Sequence, residues 1–298
     1  DYPVLADRGT DESVLNLQGI YEETQSKDAL RAIERSDNYK AANVLWQAAT
    51  QQGDDEAMTR YVQLVNTHEG DVEPRCNLLT QAFNQTKNTK VKKQILGNLG
   101  AIPTLPAFTT ASQQLGDTDV AYDAAYACKN IASKAAPDID YKQLQEVLTR
   151  ASDIIQTGGK ADDGYAKDEI KKILSDTQPV APTVLSDEEK KEGFQLLFDG
   201  TNLDQWQGNK VGYVPVNGTI LVTANYGNEG NLYTRREYKD VVFRFEFCFL
   251  RPGVNNGVGI RTPMGVDAAY DAMCECQILD HDAPIYEGLR EYQVHGSA

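Results

Sequence analysis

A chain of 298 residues is long enough for two domains, each burying a core of its own. With 41% hydrophobic and 24% charged residues it is compositionally an ordinary globular protein, and no apolar run reaches the roughly 18 residues that a membrane-spanning helix needs. A formal net charge of −15, without any cluster of Lys and Arg, excludes a nucleic-acid partner, because binding to phosphates requires basic groups that displace counterions.

The first residues, "DYPVLADRGTDESV", carry neither a basic segment nor an apolar core of the secretory kind. Either the protein is cytosolic or a leader was removed upstream of this numbering. From about residue 11 to 175 the apolar residues recur with helical spacing: Met58, Tyr61, Val62 and Val65, then Leu144, Val147, Leu148, Ala151 and Ile155. Turn-rich breaks ("QQGDDE", "THEGDVE", "NQTKNTK", "LGDTD") cut this region into helices of about a dozen residues. The best-defined unit starts with a helix carrying Val91, Ile95, Leu96 and Leu99 that ends at Gly100. Pro103 and Pro106 open a second helix and "GDTD" a third. Residues 1–175 are therefore expected to form an all-α domain of stacked helix pairs, an α-solenoid; an irregular helical bundle is the alternative. With His68 alone and no nucleophile–base cluster, this half is expected to hold no catalytic residue.

Pro179 and Pro182 interrupt the pattern, and residues 176–190 read as an extended, Pro-containing linker. From 191 to 298 the period becomes two. In "DVVFRFEFCFLRPG", Val241, Phe243, Phe245, Phe247 and Phe249 alternate with Val242, Arg244, Glu246, Cys248 and Leu250, so one face is an aromatic wall that a second layer should cover. "NGTILVT", "NLYTRREY", "NGVGIRTP" and "CECQILD" add short strands with turn residues between them, and together they predict an all-β antiparallel sandwich. The five cysteines lack zinc-site spacing and are expected to be small buried hydrophobes.

Carrying the alternation across strands, Val258, Ile260, Cys274, Cys276 and Ile278 face inward with the phenylalanines. Glu246, Arg261, Glu275 and Gln277 then share the opposite face, with Gly257 and Gly259 between them leaving room for a ligand. Hydrogen-bonding groups and little bulk suit a sugar, although a solvated face carrying Glu–Arg pairs would read the same way. His281 and His295 lie close in sequence to Asp280, Asp282 and Glu275. His281 with Asp280 and Asp282 would suit a divalent metal, and His281 would also suit proton transfer; an ordinary loop histidine is the alternative.

Four motifs occur in order over about 100 residues: "GFQLLFDGTNLDQWQG", "GNLYTRREYKD", "PGVNNGVGIRTP" and "CECQILDHDAPIY". They resemble the β-sandwich family first catalogued as DUF1080 and now called the 3-keto-disaccharide hydrolase family, and the helical half resembles HEAT-type repeats. The resemblance implies a concanavalin A-like jelly roll and glycan processing in the periplasm or cell envelope, with a leader already removed. It also implies a sandwich that continues past residue 298, so that residues 191–298 are its first part.

The chemistry implied is elimination from a 3-keto-glycoside. A ketone at C3 acidifies the C2 hydrogen, a base removes it, and the C1 substituent leaves. Glu275 or His281 is the candidate base, with Arg261 or a His281-bound metal polarising the ketone; Glu246 with Glu275 would serve ordinary two-carboxylate hydrolysis. Gln277, Arg261, Asn255 and Asn231 are the candidate substrate-binding residues. Two readings compete with an enzyme. One is a non-catalytic carbohydrate-binding module with Trp206, Tyr226 or Tyr233 as platforms; the other is an interaction scaffold holding a protein partner on the helical repeats.

Overall fold

The structure, a computed structural model, describes residues 2–158, 160, 163–223, 230–263 and 272–297. It divides into two compact units, Asp1–Gln178 and Pro179–Ala298. The first unit is helical: α1 (Tyr2–Arg8), α2 (Asp11–Thr24), α3 (Lys27–Glu34), α4 (Ala42–Gln52), α5 (Asp55–Thr67), α6 (Val72–Gln85), α7 (Thr89–Leu99), α8 (Leu105–Ser112), α9 (Ala121–Ala135), α10 (Tyr141–Gly158) and α11 (Asp163–Asp176).

Two of the breaks, "QQGDDE" and "NQTKNTK", carry a side-chain cap that starts a helix, whereas α6 and α9 start without one. Gly53 closes α4 in the left-handed conformation and Asp54 accepts from the N–H groups of Glu56 and Ala57 at the start of α5. Asn88 and Thr104 do the same for α7 and α8, the latter with a proline in its first turn. Consecutive helices pack on each other, and α1, α3, α5, α7, α9 and α11 also pack in succession as one layer. The residues with helical spacing supply the core: Met58, Tyr61, Val62, Val65, Ile95, Leu96, Leu99, Leu144, Leu148, Ala151 and Ile155 are all buried. Ion pairs cross between neighbours of the layer, Arg31 to Asp54 at 3.0 Å, Lys93 to Asp123 at 3.6 Å and Lys129 to Glu169.

The extended spacer runs only to Ser186, where a capping box starts α12 (Asp187–Glu192); the residues read as a linker therefore include the first helical turn of the second unit. That unit contains three antiparallel two-stranded ladders: β1 (Trp206–Gly208) with β4 (Leu232–Thr234), β2 (Tyr213–Val216) with β3 (Thr219–Val222), and β5 (Asn255–Ile260) with β6 (Cys274–Leu279). Asn217 and Gly218, at φ +50° and +80°, make the two-residue turn between β2 and β3. The carbonyl of Asn217 accepts from the Val180 N–H at 2.9 Å, and the Val180 carbonyl lies so close over Gly218 that a side chain there would overlap it.

No second layer closes over the phenylalanines among the described residues. Val241–Phe249 forms no strand, and Phe243, Phe245 and Phe247 are 40, 47 and 49% exposed, which overturns their expected burial between sheets. The alternation itself survives: successive ring centroids of Phe243, Phe245, Phe247 and Phe249 lie 5.1, 6.2 and 5.3 Å apart, so all four project to one side of an extended chain. Leu203, Leu279 and Ala283 are the buried apolar residues of this unit among those described. The cysteine expectation divides along the same line, with Cys76 and Cys128 buried in the helical core and Cys248 and Cys274 exposed. Burial pushes the Cys128 thiol up to about 12. After Arg290 the chain holds a 3-10 turn at Glu291–Gln293. Beyond it, Gly296 and Ser297 exchange main-chain hydrogen bonds with Gln277 along the free edge of β6.

Candidate functional site

β5 and β6 supply the only ladder, among the described residues, on which several of the expected site residues meet. Its register sets Gly257 opposite Gln277 and Gly259 opposite Glu275, while Val258, Ile260, Cys274, Cys276 and Ile278 share the other face. The assignment of Glu275 and Gln277 to one side thus holds. The glycines have a different role from the one expected. Instead of leaving the face vacant, Gly257 makes room for the Glu275 side chain, which lies diagonally across it: a methyl group at 257 would come within 2.5 Å of Glu275 Cγ and overlap its carboxylate. A side chain at Gly259 would overlap the Met273 sulfur and come within 3.0 Å of Thr262 Oγ1.

Beside this carboxylate, Gln277 Nε2 donates to Asn255 Oδ1 at 3.2 Å, whereas Gln277 Oε1 is buried without a partner among the described residues. An unpaired buried acceptor costs about 1–3 kcal/mol, so this oxygen is a place where a donor from a bound molecule is worth more than on open surface. Glu275 is half-buried and Asn255 exposed.

The remaining candidates are dispersed. β5 ends at Ile260, and Arg261 adopts a left-handed backbone (φ +59°), which takes its exposed side chain out of the strand's alternation. Glu246 sits on the unpaired 241–249 segment, and among the described residues no hydrogen bond or ion pair joins it to Glu275 or Gln277; the expected three-strand face is reduced to two strands. Asn231 belongs to a different ladder, where its carbonyl accepts from the Asn209 N–H at 3.0 Å next to β4.

The expected metal set is not assembled either. Asp280 Oδ2 accepts from the Gly253 N–H at 2.8 Å and the Asp280 N–H donates to the Val254 carbonyl at 3.0 Å, so this carboxylate fastens the turn into β5 to the exit of β6. His281 Nε2 lies 3.7 Å from Asp282 Oδ1, at the surface. His281 Nδ1 accepts from the main-chain N–H of His295, and His295 Nδ1 from that of Leu279, each at 3.3 Å. Both imidazoles therefore accept main-chain hydrogen bonds, that of His295 at the last residue of β6, and no three His, Cys, Asp or Glu side chains gather as metal ligands among the described residues. Of the three aromatic platforms, Trp206 is pinned by its indole N–H to the Leu197 carbonyl at 2.6 Å, Tyr233 is half-buried in β4, and Tyr226 lies outside the described residues.

Tyr213 escaped the sequence reading. Burial raises its phenol above the ordinary value, and its hydrogen bond with Asn256 ties the β2–β3 ladder to β5. Only its place in the alternating "GYVPV" run could have indicated an inward position.

Residues 193–297 match the model of a family described as 3-keto-alpha-glucoside-1,2-lyase-like domain, the family that the four sequence motifs resemble. No curated protein and no solved structure matches the chain. The match covers the β-containing part, which is thereby a carbohydrate-related domain, and leaves the helical unit outside it.

Proposed function

We propose that the Pro179–Ala298 unit processes 3-keto-glycosides and that Glu275 is its base. The observation that carries this reading is the Glu275 carboxylate laid across Gly257, next to the unpaired buried Oε1 of Gln277, on the only ladder where several expected site residues meet among those described. The chemistry follows from the substrate class. A C3 ketone makes the C2 hydrogen acidic enough for a carboxylate; Glu275 takes that proton, the electron pair forms the C1–C2 double bond, and the C1 oxygen departs with its substituent, taking a proton from the medium. Water can then add across the new bond. Gln277 Oε1 accepts from a sugar hydroxyl and Asn255 presents a further amide. A jelly-roll frame of the concanavalin A type and a place in the periplasm or cell envelope belong with this reading.

Replacing Glu275 by Gln keeps the shape and removes the base. With a 3-keto-disaccharide, E275Q is expected to lower kcat by about 10²–10⁴-fold while leaving KM within a few-fold. Equal cleavage of the oxidised and unoxidised sugars would instead indicate two-carboxylate hydrolysis with Glu246, and binding of both without cleavage would make the domain a binding module. For the helical unit we propose a HEAT-like stack that presents its α1–α3–α5–α7–α9–α11 layer to a protein partner; the continuous packing of that layer supports the reading.

A further inference from the structure

α7 and α9 pack side by side in the helical layer, and a cavity of about 300 Å³ opens along their groove. Helical spacing lines it. Lys93 and Gly97 stand one turn apart on α7, while Tyr122, Asp123, Tyr126 and Asn130 follow one face of α9. The two rings are fixed before anything binds: Tyr122 and Tyr126 donate at 2.5 and 3.0 Å to one oxygen of the buried Asp163, whose other oxygen accepts the Lys160 N–H at 2.8 Å. The polar groups at the cavity include donors and acceptors alike. The Lys93 ammonium lies 3.6 Å from the Asp123 carboxylate, beyond hydrogen-bond distance, and the Asn130 amide is exposed. Lys160 Nζ sits 4.0 Å from the centre of the Tyr122 ring. Among the described residues two ammoniums, Lys93 and Lys160, are matched by two carboxylates, Asp123 at the cavity and Asp163 behind the rings. The Lys129–Glu169 pair beside Tyr126 is balanced as well.

Gly97 is the residue that the fold does not explain. Glycine is a poor helix former, Gly97 has no positive φ that would require it, and a β-carbon there would meet no neighbouring atom within 4 Å. What the missing side chain does is leave the α7 wall of the cavity open. Fixed rings, mixed donors and acceptors and no net charge suit a ligand that is uncharged, partly apolar on its faces and able to donate and accept at each polar group. A sugar ring has these properties, whereas a charged ligand would meet one like charge for each opposite one. We infer that the α7–α9 cavity is a binding subsite for a neutral saccharide. A sugar held there stays tethered to the chain that carries the carbohydrate-related domain of residues 193–297. The inference uses neither Glu275 nor turnover, so it and the catalytic proposal can each fail alone.

Calorimetric titration of the whole chain with glucose, sucrose and trehalose is expected to give a Kd of about 0.1–10 mM for at least one of them. Gly97→Phe fills the cavity from its open wall and should raise that Kd about tenfold or more, with the helical circular dichroism signal unchanged. Asn130→Ala, an exposed change that leaves the core intact, should weaken binding about threefold or more and makes the same comparison if G97F does not fold. Gly97→Ala should bind within about twofold of wild type and raise the urea midpoint, because alanine is the better helix former and displaces nothing. Glucuronate and glucosamine, charged analogues of glucose, should bind no more tightly than glucose. Four results would overturn the proposal: no binding of any of the three sugars; wild-type affinity in G97F, which puts the sugar elsewhere on the chain; a lowered urea midpoint in G97A, which makes the glycine a requirement of the fold; or tenfold tighter binding of a charged analogue, which makes the cavity an ion site.

Discussion

Glu275 and Gly257 act as one device, and the pair shows what a single residue can be asked to reveal. Because the carboxylate occupies the space where a β-carbon at 257 would sit, Gly257→Ala should displace it, at about 1–3 kcal/mol of stability for the overpacked site. The same substitution should lower kcat on the 3-keto substrate nearly as far as E275Q does, with the urea midpoint and the steady-state rate as the two measurements. A variant that loses stability but keeps its rate would remove Glu275 from the base role. Period-two alternation was enough to place Glu275 and Gln277 on one side in the sequence. It could not show that the glycines are filled by neighbouring side chains, because which rotamer crosses which glycine depends on the register of two strands. The histidines illustrate the same limit: His281 and His295 are close in the chain, yet their Nδ1 atoms accept main-chain N–H groups, His295 from Leu279 at the end of β6 and His281 from His295, roles set by where the strand stops.

Elements whose partners are local were legible, and those that depend on distant partners were not. Helix starts depend on a side chain three residues away, so Asp54, Asn88 and Thr104 could be anticipated from turn-rich breaks, and Asn217-Gly218 from its dipeptide. Asp54 also offers a pH test. Burial by itself would raise its carboxyl, but the N–H of Ala57, the Arg31 guanidinium and the N–H of Glu56 outweigh it and hold the group below its ordinary value. A carboxyl depressed in the folded state is protonated more readily in the unfolded chain. Its stabilisation is therefore complete above the unfolded value of about 3.9 and is lost as pH falls through the lower folded value. Asp54→Ala should cost about 0.5–2 kcal/mol at pH 7, and the difference from wild type should shrink below about pH 4; Asp54→Asn, which keeps a cap acceptor, should cost less. Urea titrations at pH 7 and pH 3 measure both. The 241–249 segment has the strongest strand pattern in the chain and forms no strand, because a ladder needs a second backbone and the pattern describes only one.

At the scale of the molecule, the helical unit holds nearly all of the buried apolar residues among those described, while the β-containing unit buries Leu203, Leu279 and Ala283. The units should therefore unfold separately, the second at lower denaturant. The two tryptophans report on them one each, Trp46 in α4 and Trp206 in β1. In W46F, where only Trp206 reports, the fluorescence transition should precede the loss of helical circular dichroism; coincident transitions would mean one cooperative unit. The change of period from 3.6 to two and the prolines between the halves were in the sequence, as were the family motifs of residues 193–297, since each is a property of residues near one another along the chain. Which strands pair, what lies over a glycine, where β5 turns out of its alternation and whether the phenylalanine side is covered were decided only by tertiary structure, because each depends on a backbone brought in from elsewhere.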